Sequence, residues 1–203
     1  MIVIIDLDLG NLSSIQNMLK KIGFESMISN KLEDINNASK LILPGIGAFD
    51  TGMKNLKKYN LIDILENQVI MNKKPILGIC LGMQMMLERS EEGIEPGLGW
   101  IKGEVIKFKK DKTFRVPHMG WNTVKIKEKL TLTKKMKSGF KFYFVHSYFP
   151  KLKQNNYEVM KTFYGCEFTS CFQKKNISGV QFHPEKSHKY GIKLLTNFAQ
   201  LND

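Results

Sequence analysis

Apolar and polar positions follow two different rhythms along this chain. Met1 to Asp6 opens with an unbroken apolar run, the pattern of a strand covered on both faces. Leu12, Ile15, Met18, Leu19 and Ile22 then recur at helical spacing, after an Asn11 able to cap the first turn and before a Gly23 placed to end the last. Phe24 to Ile28 and Lys40 to Leu43 predict two more strands. Leu61, Ile64, Leu65 and Val69 predict a helix from about Leu61 to Met71, capped by Asn60. Pro75 to Ile79 predicts a short buried strand that runs straight into a helix over Leu81 to Glu88. Strand and helix in alternation predict a parallel sheet with helices on both faces.

From Gly99 onward the texture changes to short β-type runs broken by Gly, Asn and Lys, among them GWIKGEVIKFKK, VPHMGWNTVKIK, FKFYFVHSYF and ISGVQFH. These predict antiparallel hairpins added to the main sheet. The chain closes with a predicted helix, Ser187 to about Leu201, whose Ile192, Leu195, Phe198 and Ala199 form an inward stripe. No Pro/Gly/Ser-rich linker separates the two textures, so a single domain over residues 1–203 is expected. The expected class is α/β, a mostly parallel central sheet flanked by helices with added hairpins.

Composition narrows the function classes. The 203 residues are 42% hydrophobic and 25% charged, as in a globular enzyme-sized domain, and no apolar run approaches the ~20 residues of a membrane span. The start has no basic segment before its apolar run, so a signal peptide is not expected and a cytoplasmic location is. Three cysteines, Cys80, Cys166 and Cys171, show no CxxC pairing. Neither a disulfide framework nor a metal site is expected, and no cofactor. The net charge of +12 is concentrated between Lys107 and Lys141, where Asp111 and Glu128 are the only carboxylates. The lysines are scattered, with little aromatic interleaving and no recognised nucleic-acid motif, which favours a solvated face over a surface for an acidic partner.

The chemistry concentrates in three segments. Gly78-Ile79-Cys80-Leu81-Gly82 is a G-x-C-x-G between a strand and a helix, the nucleophile-elbow pattern. Glycines on either side relieve the crowding of a strained turn, and unpaired amides at a helix N-terminus stabilise a thiolate. Taken alone, the segment also fits a buried cysteine in a tight turn. His183-Pro184-Glu185 follows the predicted strand Ile177 to Phe182; in extended backbone, residues two apart project to one side, so Glu185 can orient His183 as the base of a nucleophile-base-orienter triad. A solvated surface turn is the alternative. His146, in an aromatic strand, and His118, in a turn, read as structural histidines, and His188 as exposed. The amide of Leu81 and one from the Pro44-Gly45-Ile46-Gly47 loop are natural oxyanion donors, and Gln84 lies on the nucleophile's side of the helix.

Together PGIGAF, PILGICLGMQ, GLGW, VPHMGWN, YFVHSY and GVQFHPEKS resemble the class I glutamine amidotransferases through nearly the whole chain. More narrowly, the chain is similar to the glutaminase subunits of imidazole glycerol phosphate synthases. That resemblance implies Cys80 as nucleophile, His183 as base and then acid, and Glu185 as its partner. It implies Ile46, Gly47, Leu81, Gln84, Ser147 and Tyr148 around glutamine and its oxyanion. It also implies a heterodimer with a (β/α)8-barrel synthase, with Met119, Trp121 and Lys186 at the interface and ammonia passed between the two. Core packing is the alternative role for Trp121. The family commonly opens with Asp-Tyr-Gly-x-Gly-Asn, and Asp6-Leu7-Asp8-Leu9-Gly10-Asn11 departs from it. Other readings are an ammonia-supplying subunit for a sugar amidotransferase, a scaffold without catalysis, and a cysteine peptidase or γ-glutamyl hydrolase on the same elbow.

Overall fold

The computed structural model describes residues 1–109 and 114–201, so part of the basic 107–141 segment, with Asp111, lies outside the described residues. Strands β1 (Ile2–Ile5), β2 (Ser26–Ser29), β3 (Lys40–Leu43) and β4 (Ile76–Ile79) alternate with helices α1 (Leu12–Lys21), α2 (Leu32–Asn37), α3 (Phe49–Lys58) and α4 (Leu61–Leu65). Then come α5 (Leu81–Met85) and the strands β5 (Arg89–Ser90), β6 (Gly103–Lys107), β7 (His118–Thr123), β8 (Lys125–Ile126), β9 (Lys141–His146), β10 (Tyr148–Leu152), β11 (Glu158–Tyr164), β12 (Cys166–Lys174) and β13 (Ile177–Val180). Helix α6 (His188–Ala199) closes the described chain.

The main sheet has the order β2-β1-β3-β4-β13-β12-β11-β8. Its first five strands pair parallel and the rest antiparallel. This is the expected α/β class. Strands β1, β3, β4 and β13 are buried at every position because both faces are covered, whereas the edge strand β2 is only partly buried: Ile2, Ile4, Ile42 and Leu77 join the core under α1 and α6, while Val3, Ile5, Leu41 and Ile76 join the one under α2 to α5. No helix among the described residues is long and apolar enough to cross a membrane.

The structure departs from these expectations at six points. Helix α3 was not anticipated, although Phe49, Met53 and Leu56 recur at helical spacing and are buried; seven other residues, Gly52 among them, dilute the pattern. Helix α2 buries only Ile35, too little for a period to show. The predicted Leu61–Met71 helix divides into α4 and a π-helical turn, Glu66–Met71, which buries Gln68 against Asn36. Asn60 does precede α4, but in a left-handed conformation at φ 55° and with no capping bond from its side chain. The helix predicted to reach Glu88 stops at Met85, because the carbonyls of Met85, Met86 and Leu87 accept from the amides of Leu98, Ile101 and Gly99 instead. Of the hairpins, only β8, β11 and β12 extend the main sheet; β10-β6-β5 and β7-β9 form two small sheets beside it.

Candidate active site

Cys80 sits where β4 ends and α5 begins, at φ 52° and ψ −108°, outside the regions that L-residues favour. Three backbone bonds hold it there. Its amide donates to Val180 O (2.8 Å), its carbonyl accepts from Gln84 N (3.1 Å), and the Leu81 amide reaches Gly45 O at 3.4 Å. A Cβ on Gly78 would fall 2.7 Å from Met83 N, and one on Gly82 only 1.7 Å from Leu43 O, so both glycines are demanded by close backbone approach.

His183 follows β13, the strand paired parallel with β4. Its amide donates to Tyr143 O (2.9 Å), and its carbonyl accepts from Ser187 Oγ (2.6 Å). Pro184–Lys186 turns as a short 3-10 helix, so Glu185 comes back beside the imidazole through that turn, not through an extended i, i+2 arrangement as the sequence suggested. Glu185 Oε1 lies 2.7 Å from His183 Nδ1, and both side chains are buried. A carboxylate only accepts, so Nδ1 is the protonated nitrogen. Nε2, the other ring nitrogen, has no oxygen or nitrogen partner among the described residues. Burial of the ring pulls its pKa down, but the neighbouring Cys80 sulfur and Glu185 outweigh that and leave it raised. The three side chains expected to work together are thus neighbours.

A cavity of about 330 Å³ opens over Cys80 and is lined by Ile46, Gly47, Leu81, Gln84, Ser147 and Tyr148, all six expected around a ligand. Gly47 adopts φ 94°, a conformation that favours glycine, and no described atom lies within 4 Å of a Cβ placed there. Lys186 lines the same cavity, and its Nζ stands 5.7 Å from the centre of the Tyr143 ring. Met119 (62% exposed) and Trp121 (46% exposed) project from β7, so Trp121 is not a core residue; it stacks on the exposed His188 at 5.5 Å. Leu9, Gly10 and Asn11, from the loop with the unusual opening motif, line a cleft together with His183 and Glu185.

Two residues at the site escaped the sequence reading. Among the described residues Glu92 is the sole carboxylate on the cavity wall, positioned by accepting from the Phe49 amide (2.9 Å) at the start of α3. It stands in an acidic run with no distinguishing spacing. Gln181 is fully buried, and its Nε2 is 3.6 Å from Cys80 Sγ. It follows β13, which already contains Ser178, so no local pattern singles it out.

The class-I glutamine amidotransferase profile matches residues 3–201. The chain belongs to that family. Among curated relatives of this amidotransferase, the imidazole glycerol phosphate synthase subunit HisH 2 of Methanococcus maripaludis is 52% identical, over 98% of this chain and 99% of its own. The subunit HisH 2 of Pseudomonas aeruginosa is 47% identical, over 99% and 100%. The solved structure of PurLQS from Thermotoga maritima shares the fold at TM-score 0.73 and 16% identity, covering 97% of the amidotransferase and 96% of that chain.

The amidotransferase also buries a second histidine pair. Tyr148 O can only accept, so His146 Nδ1 donates to it (2.8 Å) and His146 Nε2 is the acceptor for His118 Nδ1 (3.0 Å). His118 Nε2 then accepts from Asn122 Nδ2 (3.2 Å). Both rings are neutral in this chain of bonds, as expected of structural histidines. Burial pushes His118 down to about 4; burial, then the adjacent His118, push His146 to about 3. The unfolded chain takes up these protons near pH ~6.5 whereas the folded chain refuses them, so stability falls as pH drops below ~6.5. His146 contributes a loss on the order of 1 kcal/mol per pH unit, and His118 adds less. Urea midpoints measured between pH ~6.5 and ~5 should fall with that slope. His118→Phe should make it shallower, and an unchanged slope would show that His118 is charged in the folded state.

Proposed function

We propose that this chain is the glutaminase subunit of an imidazole glycerol phosphate synthase, releasing ammonia from glutamine through a Cys80 thioester. The observation that carries this reading is the convergence of Cys80, on the elbow after β4, with the buried His183 and Glu185 from the far end of the chain. The sulfur attacks the γ-carboxamide carbon, and His183 gives its proton to the departing ammonia. Water, deprotonated by His183, then attacks the thioester, and glutamate leaves with the sulfur restored.

The pocket chemistry suits an amino acid. Gln84 spends its amide protons on Tyr148 O and Gln181 Oε1, each at 3.0 Å, so its own oxygen is what remains for a ligand. That acceptor and the Glu92 carboxylate fit an α-ammonium group. The 3.4 Å contact of the Leu81 amide with Gly45 O partly occupies the expected oxyanion donor. Rotation of the glycine-bearing 44–47 loop would free it, so turnover should rise when the partner is bound and substrate-loaded.

The partner in this reading is a (β/α)8-barrel synthase that uses the ammonia and carries the lyase step. Met119, Trp121 and Lys186 stand exposed as its contacts. No comparison favours the sugar-amidation alternative. Glutamate release by the purified chain, alone and with the barrel synthase and its nucleotide ligand, tests the proposal; no hydrolysis in either condition would overturn it. Trp121→Ala should weaken the complex by about 2 kcal/mol, the scale of an aromatic anchor, in a titration against the barrel subunit. Because Trp121 is half-exposed, its unfolding midpoint should barely move. Equal losses in both measurements would make it a folding residue.

A further inference from the structure

Near the sulfur, amide orientations are not free choices. Tyr148 O is a backbone acceptor, already bonded to His146 Nδ1 at 2.8 Å, so the group that Gln84 turns toward it at 3.0 Å must be its NH2. The same nitrogen donates to Gln181 Oε1 at 3.0 Å. Gln181 therefore has its oxygen committed to Gln84 and its own NH2 turned toward Cys80 Sγ, 3.6 Å away. Rotating the Gln181 amide by half a turn would set two NH2 groups against each other and an oxygen against the sulfur. The residue cannot escape to solvent either, being fully buried, with its backbone amide bonded to Ser170 O at 3.0 Å.

We propose that Gln181 is a further catalytic residue, whose Nε2–H, aimed by Gln84 and the Tyr148 carbonyl, holds the Cys80 sulfur and stabilises its negative charge. The inference rests on the reading of Cys80 as nucleophile. The donor enlarges the fraction of Cys80 present as thiolate for the attack on glutamine and stabilises the charge that develops on the sulfur as water displaces it from the thioester, so one donor serves both halves of the cycle. In the thioester the sulfur is neutral and the bond weakens, which directs the assistance to the charged states. His183 faces the sulfur as its proton exchanger; Gln181 supplies a second, permanent donor that never gives up its proton.

Gln181→Met keeps the side-chain volume and removes the N–H. In the full-length chain, the rate at which iodoacetamide alkylates Cys80, read by peptide mass spectrometry so that exposed Cys166 is counted separately, should fall about 10- to 100-fold, the range of a hydrogen bond to a charged group. The kcat for glutamine should fall by a similar factor with KM little changed. Alkylation at the unmodified rate would overturn the proposal, since a residue needed only for packing would lower stability and leave the sulfur of the folded fraction as reactive as before. Should Gln181→Met fail to fold, Gln181→Glu retains the acceptor for Gln84 and turns an acceptor to the sulfur; it too should slow alkylation, and an unchanged rate would count against Gln181 equally. Absence of glutamine turnover in the unmodified chain would remove the functional reading, yet the alkylation comparison would still decide what Gln181 does.

Discussion

Replacing Cys80 by alanine should lower glutamine hydrolysis by at least about 10⁴-fold, the scale seen when a nucleophile is removed from a triad. The expectation has two parts because the residue has two environments. Its side chain lines the 330 Å³ cavity and neighbours His183, and among the described residues no other thiol lies in that wall: Cys171 is buried in the core and held protonated by its burial, and Cys166 is exposed at the start of β12. Its backbone, in contrast, carries the elbow through bonds to Val180, Gln84 and their neighbours that alanine preserves. Folding stability should therefore move by less than about 1 kcal/mol, and association with the barrel synthase should persist. Glutamate release and a pull-down on one preparation check both parts. Hydrolysis surviving in the alanine protein would place the nucleophile elsewhere.

The second large effect concerns stability. Gly82→Ala should destabilise the fold by about 4 kcal/mol or more, even though alanine is the better helix former by about 1 kcal/mol. The added methyl would lie 1.7 Å from Leu43 O and 2.6 Å from Leu43 C, both backbone atoms of a central strand. Strand β3 is paired on both edges, to β1 and to β4, and cannot retreat without breaking a ladder. Helix α5 must move instead, carrying the Leu81 amide and the Cys80 turn with it, so activity should fall further than the lost folded fraction accounts for. Gly23→Ala supplies the contrast, with φ 83° but nothing within 4 Å of its Cβ, and should cost only about 1 kcal/mol. A urea midpoint for Gly82→Ala equal to that of the unmodified chain would refute the close-approach argument.

These two residues also mark where the sequence was readable. Cys80 and Gly82 belong to a five-residue pattern whose chemistry is local: a strained turn needs glycines beside it, wherever it lies in the fold. His183 and Glu185 are likewise two residues apart, and their contact was foreseeable, although the turn that makes it was misread as extended. Buried parallel strands announced themselves through continuous apolar runs. The elements that were missed or misplaced are those whose limits depend on distant partners. Helix α5 ends early because amides from Leu98, Gly99 and Ile101 claim its carbonyls, and the turn at Glu66–Met71 widens where Gln68 meets Asn36. Glu92 and Gln181 gave no local pattern because each acquires its meaning from a group far along the chain, the Phe49 amide for one and the Cys80 sulfur for the other.

What the amino-acid order determined by itself, then, was the alternation of strands and helices, the elbow and its thiol, and the histidine with its carboxylate, all set by steric and capping rules acting over a few residues. What only the tertiary structure decided was that the thiol and the imidazole share one pocket, that Gln84 and Gln181 are turned so that an N–H faces the sulfur, and that Trp121 lies on the outside. Those outcomes depend on which strands pair and which faces they bury, and no short stretch of chain carries that information, because the free energy that selects them is shared among contacts a hundred residues apart.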